Sequence, residues 1–223
     1  MDSKRLWDDI FSVQEWGKYP AEALIRFVAR NFYKKDRNSI KILEVGCGPG
    51  PNIWYIAREG FNAYGIDISG SAIEKAKSRL KAEGLSADLR VGDIKQLPYE
   101  DKSFDAVIDN ECLYCNNRKD TETVLKEIKR VLKDSGSLFS RTFSDGTYTG
   151  ITKRTVGKDE YDDVSDGPFS GRGFARLTFR KDIDSLYGAY FNVLSVDRME
   201  YTYDGTDKKV SEWIIICGKE GLK

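Results

Sequence analysis

A doubly wound α/β fold is what this sequence predicts, and three observations carry the prediction. Apolar runs at residues 40–45, 62–68, 87–93, 103–110 and 136–143 read as strands, and they alternate with segments of helical periodicity. A glycine-rich loop, "GCGPG", directly follows the first run. Two further runs, residues 191–203 and 208–219, are joined through Asp204-Gly205, a hairpin signal that predicts an antiparallel end to an otherwise parallel sheet. The expectation is one domain with a sheet of seven strands and helices on both faces, a size at which 223 residues bury a sizeable core.

Leu6, Trp7, Ile10 and Phe11, then Leu24, Ile25, Val28 and Phe32, recur at helical spacing and predict two N-terminal helices within residues 1–36, separated by "EWGKYP". "IKILEV" is the first strand, and Pro51 suits the first turn of a helix that Gly60 ends. "NAYGIDI" follows as a strand, and Ser71 with Glu74 has capping-box spacing for the next helix, which runs to Gly84. "ADLRVGD" and "SFDAVIDN" are the third and fourth strands. Val124, Leu125, Ile128, Val131 and Leu132 mark the buried face of the following helix, and "GSLFSRTF" is the fifth strand. Residues 144–180 are polar and glycine-rich, a connection long enough to predict an insertion that covers the site. A short helix bearing Ile183, Leu186, Tyr187 and Tyr190 opens the C-terminal unit, residues 181–223.

Composition removes several function classes. Lys plus Arg and Asp plus Glu balance at 36 each, which argues against a nucleic-acid partner held by phosphate neutralisation. No apolar run approaches the roughly 20 residues of a membrane span, and the opening residues lack the apolar stretch of a signal peptide, so a cytoplasmic protein without a membrane partner is expected. Four scattered cysteines make no disulfide framework; Cys112 and Cys115 have no second pair and no histidine to complete a metal site, so no metal is expected. With no histidine in the chain, acid–base chemistry falls to carboxylates, tyrosine, lysine, cysteine or proximity.

The glycine loop lies where doubly wound sheets bind ligands, after a strand's carboxyl end. Gly46, Gly48 and Gly50 are followed by Pro51 where a dinucleotide fingerprint needs a third spaced glycine, and Pro51-Asn52 stands where a phosphate loop needs Lys-Ser or Lys-Thr. Glu44 and Asp67 put carboxylates beside the loop, which repel a pyrophosphate but attract a cation and accept ribose hydroxyls. The ligand expected is a positively charged nucleoside.

Together "EVGCGPG", "GIDIS", "VGDIKQLPYEDKSFDAVI" and "LKEIKRVLKDSG" resemble the class I S-adenosylmethionine-dependent methyltransferases over residues 40–143, the expected cofactor-binding core of a Rossmann-like fold. The resemblance implies that Gly46 and Gly48 admit the cofactor, that Glu44 supports its methionine amino end, and that Asp67 binds both ribose hydroxyls. It further implies that Asp93 accepts from the adenine amino group with Ile94 against the ring, and that Cys47, Ile68 and Asn110 belong to the same contact set. By the same resemblance "NECLYCNN" faces the methyl group, which makes Glu111 and Tyr114 the catalytic candidates. The segment lacks the Asn/Asp-Pro-Pro-Tyr/Phe signature of nucleic-acid base methyltransferases. Trp16 and Tyr19 are expected in an aromatic lid over the cofactor, and Arg141, Arg172 and Arg176 are the arginines that could meet an anionic acceptor, Arg172 reading more readily as a surface residue. The function expected is methyl transfer from S-adenosylmethionine to a small-molecule acceptor by a monomer or homodimer. The alternatives are a protein or RNA methyltransferase and a non-catalytic S-adenosylmethionine-binding scaffold.

Overall fold

The computed structural model describes residues 3–202 and 205–219. Six helices, α1 (Ser3–Val13), α2 (Glu22–Phe32), α3 (Pro51–Arg58), α4 (Gly70–Ala82), α5 (Arg118–Val131) and α6 (Arg180–Leu186), surround the strands β1 (Lys41–Val45), β2 (Asn62–Asp67), β3 (Asp88–Val91), β4 (Phe104–Asn110), β5 (Leu132–Phe143), β6 (Arg154–Gly157), β7 (Glu160–Asp162), β8 (Ala175–Arg176), β9 (Asn192–Thr202) and β10 (Lys209–Gly218). The main sheet has seven strands in the order β3-β2-β1-β4-β5-β10-β9. All neighbours pair in parallel except β10, which runs antiparallel to both β5 and β9.

The sequence of β1 explains its central place. Ile42 packs with α2 and α3 in one apolar layer, while Leu43 and Val45 pack with α5 and α6 in the other, so both faces are covered. From β1 the chain winds outward through β2 to β3, then returns to β4 on the other side of β1. The crevice therefore opens at the carboxyl ends of β1 and β4.

Three local expectations change. The cap of α4 is Ser69, whose hydroxyl accepts from Ala72 N (3.1 Å), because β2 stops at Asp67 and the helix begins at Gly70. Ser71 instead donates its N–H to Asp8 Oδ1 of α1 (2.9 Å), which also accepts from Ser69 Oγ (2.8 Å). Glu74 pairs with Lys77 and caps nothing. Residues 144–179 are not without regular structure: β6, β7 and β8 form a small antiparallel sheet over a cluster that includes Phe143, Phe169, Leu177 and Val210. Strands of two to four residues are too short to show a period. Finally, β5 starts at Leu132, four residues before the run predicted for it. Of the expected Asp204-Gly205 turn, Asp204 lies outside the described residues, and Gly205 has φ +66°. Among the described residues no helix is long and apolar enough to cross a membrane.

Asp8 couples α1 to the first turn of α4, and those hydrogen bonds hold its carboxyl below the usual range. Asp8→Ala is expected to cost about 1 kcal/mol in urea unfolding at neutral pH, the value of a helix cap. A carboxyl depressed by folding stabilises above its unfolded value near 3.8 and loses that contribution as the pH falls through the lower folded value. The gap between wild type and variant should therefore close in acid; a gap that is absent at neutral pH, or that persists unchanged in acid, would remove Asp8 from this role.

Candidate cofactor and acceptor site

A cavity of about 390 Å³ occupies the crevice, bounded by the carboxyl ends of β1, β2, β3 and β4, by α1 and the segment after it, and by the insertion. The glycine loop is its floor. Gly46 (φ +64°) and Gly48 (φ +50°) hold left-handed conformations that side chains rarely adopt. A Cβ at 46 would also overlap the Cys112 thiol, while one at 48 would come into ordinary contact with the Phe11 ring (3.4 Å). The openness of this loop thus serves neighbouring protein atoms as well as the cavity.

Glu44 is fully buried at the end of β1. Its Oε1 accepts from Asn52 Nδ2 (2.6 Å), and its Oε2, also buried, has no partner. Burial, reinforced by the charges of Asp67 and Asp109, pushes its carboxyl up to about 8, against the opposing Asn52 hydrogen bond. A carboxylate left half-satisfied against a cavity is a socket for a cation. Asp67 accepts from Gly48 N (2.8 Å) and Ser69 N (2.9 Å), which fixes the loops after β1 and β2 to one carboxylate; burial raises it while those N–H groups work the other way. Ile68 and the buried Ile94 line the cavity beside it. Asp93, at the rim and half-exposed, accepts from Lys95 N (2.9 Å). Cys47 is buried, and its N–H donates to Ile66 O (3.1 Å). Asn110 lines the cavity with a buried Oδ1 that has no partner.

Glu111 stands at φ +58° after β4 and faces the cavity. Asp109 makes that turn possible: fully buried, it accepts from the N–H groups of Cys112 and Leu113 (3.0 Å each) and from Ser140 Oγ (2.5 Å). Glu111 Oε1 lies 3.0 Å from Arg141 Nη2, and Arg141 is also clamped by the buried Glu212. Burial pushes Glu111 up to about 7, with Arg141 opposing. Tyr114 is buried edge-on against Phe143 (4.9 Å), and burial raises its phenol so that it keeps its proton. Burial likewise keeps Cys112 and Cys115 as thiols.

The roof comes from two sides. Trp7 stacks on Phe11 (5.5 Å), Trp16 meets Phe11 edge-on (5.1 Å), and all three line the cavity. Tyr19, expected beside them, does not: it is 74% exposed and packs edge-on against Trp54 of α3 (6.0 Å), outside the cavity. The segment between the helices is irregular, so three positions along it the side chain points elsewhere. From the insertion, Arg172 and Phe174 face the cavity, whereas Arg141 and Arg176 do not; Arg176 is buried against Asn116 O and Thr121 Oγ1. Arg172 is thus the pocket arginine of the three, contrary to its reading as a surface residue. Sequence reasoning missed Asn52, Phe11 and Asp109. Only Asp109 carried a signal, a carboxylate inside an apolar strand. Among the described residues no group of three or more His, Cys, Asp or Glu side chains is placed to hold a metal ion.

The chain resembles known proteins over the stretch that builds this floor. A family profile described as a methyltransferase domain matches residues 42–136. The methyltransferase GfsG of Streptomyces halstedii is 35% identical over 101 residues, 44% of this chain and 36% of its own length, so this chain spans about a third of that relative. An uncharacterized methyltransferase of Schizosaccharomyces pombe is 32% identical over 104 residues, 47% of this chain and 72% of its own length. Among solved structures, an S-adenosylmethionine-dependent methyltransferase of Methanosarcina mazei superposes with a TM-score of 0.72 at 22% identity, covering 86% of this chain and 96% of that one, a likeness of fold. With its strand order, its glycine loop and a relative covered over most of its length, this chain belongs to the class I S-adenosylmethionine-dependent methyltransferases.

Proposed function

We propose that this protein moves the sulfonium methyl of S-adenosylmethionine to a small-molecule acceptor enclosed in the cavity. The observation that carries the reading is the buried, unpartnered Glu44 Oε2: it fits the ammonium of the cofactor's methionine end, with Asp67 near enough to the same floor to take the ribose hydroxyls and Asp93 and Ile94 at the adenine end. Trp7, Phe11 and Trp16 roof the same space.

When bound, S-adenosylmethionine supplies a methyl group on an already activated sulfur. Alignment of the acceptor with the S–CH3 axis then provides much of the acceleration. The bound sulfonium would supply the methyl group with neutral sulfur as its leaving group, a lone pair of the acceptor would receive it, and Glu111, facing the cavity, would take the acceptor's proton. A carboxyl near 7 is well matched to that task at neutral pH. Arg141 keeps Glu111 in place. The cavity wall favours a small molecule over RNA, since Asp67, Asp93, Glu111 and Asp120 outnumber Lys95 and Arg172 and would repel a phosphodiester.

The deciding experiment is transfer of labelled methyl from S-adenosylmethionine into a metabolite extract; binding without transfer to any component would favour the scaffold alternative. Glu111→Gln is expected to lower kcat by about 10²–10⁴-fold with the affinity for S-adenosylhomocysteine unchanged. It should also abolish a kcat/KM limb that rises through pH about 7, since the base must be ionised. Equal activity of wild type and variant across that range removes Glu111 as the base.

Glu44 gives a separate binding test. The free carboxyl is protonated below about 8, and a bound ammonium favours its ionised form, so binding releases a proton. Affinity for S-adenosylhomocysteine should then rise between pH 6 and 8, by at most about tenfold per unit, and calorimetry in buffers of different ionisation enthalpy should report the released proton. Glu44→Gln should bind more weakly and without that rise; a rise that survives in the variant belongs to another group.

A further inference from the structure

We propose that the acceptor carries a carboxylate and that Arg172 anchors it, leaving the atom to be methylated free at another point of the same molecule. The proposal rests on the methyl-transfer reading above and adds the chemical class of the acceptor.

Arg172 sits in "SGRGF", between Gly171 (φ +71°) and Gly173 (φ +70°). Two left-handed residues around one arginine turn the loop sharply and suit glycine at both positions. A Cβ on the second would lie 2.6 Å from the tip of Leu6, so the loop runs directly against α1. Its guanidinium lies over the Trp16 ring, 5.0 Å from the centroid, and that ring is held in turn by Phe11. Stacking of this kind orients the planar guanidinium and leaves its N–H edge available for a planar anion.

The charges around Arg172 are otherwise committed. Lys95, the other cation on the cavity wall, has Asp93 at 3.7 Å and Asp120 at 3.6 Å. Arg141 is held by Glu111 and Glu212. Among the described residues no carboxylate comes within ion-pair distance of Arg172, although Glu111 senses its charge across the cavity. A cation set in an acidic cavity with no carboxylate on it is matched by a ligand that brings one. A phosphate dianion fits poorly, because a single guanidinium would face it against Glu111 and Asp120. A carboxylate monoanion takes two parallel N–H groups and leaves one charge balanced. It is proposed as an anchor and not as the methyl acceptor, because a carboxylate whose two oxygens both accept from the guanidinium is a weakened nucleophile.

Two measurements test this. In the first, protein saturated with S-adenosylhomocysteine is titrated with benzoate and with benzamide while tryptophan fluorescence is followed, Trp16 being the reporter under the guanidinium. The expected result is a saturable response to benzoate, little to benzamide, and about tenfold weaker benzoate binding in Arg172→Ala, with the affinity for S-adenosylhomocysteine retained. No response to benzoate in the wild type, or one that Arg172→Ala leaves unchanged, overturns the anchor. In the second, a metabolite extract is split on an anion exchanger into retained and unretained pools, and each is incubated with labelled S-adenosylmethionine. Label should enter a compound of the retained pool, the product should still be retained, and Arg172→Ala should raise KM for that compound at little cost to kcat. Label entering only the unretained pool, or a product that has become a methyl ester, overturns the proposal. Failure of transfer in both pools with the benzoate response intact would count against the methyl-transfer reading and not against the anion site.

Discussion

The site depends on one carboxylate accepting from two loops. Asp67 takes the N–H of Gly48 from the turn after β1 and the N–H of Ser69 from the turn after β2. Without a shared acceptor, each of these irregular segments would have to find partners for its backbone separately. Asp67 therefore sets the distance between the glycine loop and the start of α4. Ser69 passes that order outward, since its hydroxyl caps α4 and donates to Asp8 on α1. A chain of hydrogen bonds from Gly48 through Asp67 and Ser69 to Asp8 thus joins the floor of the cavity to its roof. The element roofing the cavity is tied to the residues beneath it and not to a remote part of the sheet.

Around that chain the protein holds several carboxylates in conditions that disfavour their charge. Glu44, Asp109 and Glu111 are all raised, and for each the first cause is removal from water. A carboxyl raised by folding contributes stability below its unfolded value and loses it as the pH climbs through the folded one, so these groups weigh against the fold at neutral pH. Asp109 offsets its burial with two backbone donors and a serine hydroxyl, and its role is to shape the turn that presents Glu111. Glu44 has a single donor and an oxygen with none. The difference separates a carboxylate fully engaged by the fold from one with an oxygen left over, and burial alone does not distinguish them.

Much of this was legible in the sequence because strongly patterned elements carry their own instructions. After the exposed Lys41, "KILEV" is apolar on both sides apart from Glu44, and such a strand belongs inside a covered parallel sheet. The acids at the ends of β1 and β2 stand at positions where the topology brings strand ends together. What stayed hidden depends on direction or on distant partners. Trp16 and Tyr19 occupy the same irregular segment, where no period dictates which way a side chain faces, and only Trp16 turns to the cavity. Phe11 has the spacing of any apolar helix position, and nothing local to it says that α1 lies over Gly48. Asn52 reads as a surface residue of a first helical turn, yet it faces inward to meet Glu44. The cap of α4 lies at Ser69, two residues before the Ser71 that the spacing predicts, because both are good capping residues and the end of β2 decides between them.

The contact between Gly46 and Cys112 has an evolutionary corollary. The two positions share one small volume, so a larger residue at either must be accommodated by the other. They are nevertheless unequal. Residue 112 can shrink to alanine without offending the backbone, whereas residue 46 stays in the left-handed region whatever its neighbour does, and a smaller residue 112 would not release it. Drift at this point is therefore one-way: descendants can explore the thiol's position while the glycine stays fixed. A lineage that widens its cavity here has to do so from the β4 side.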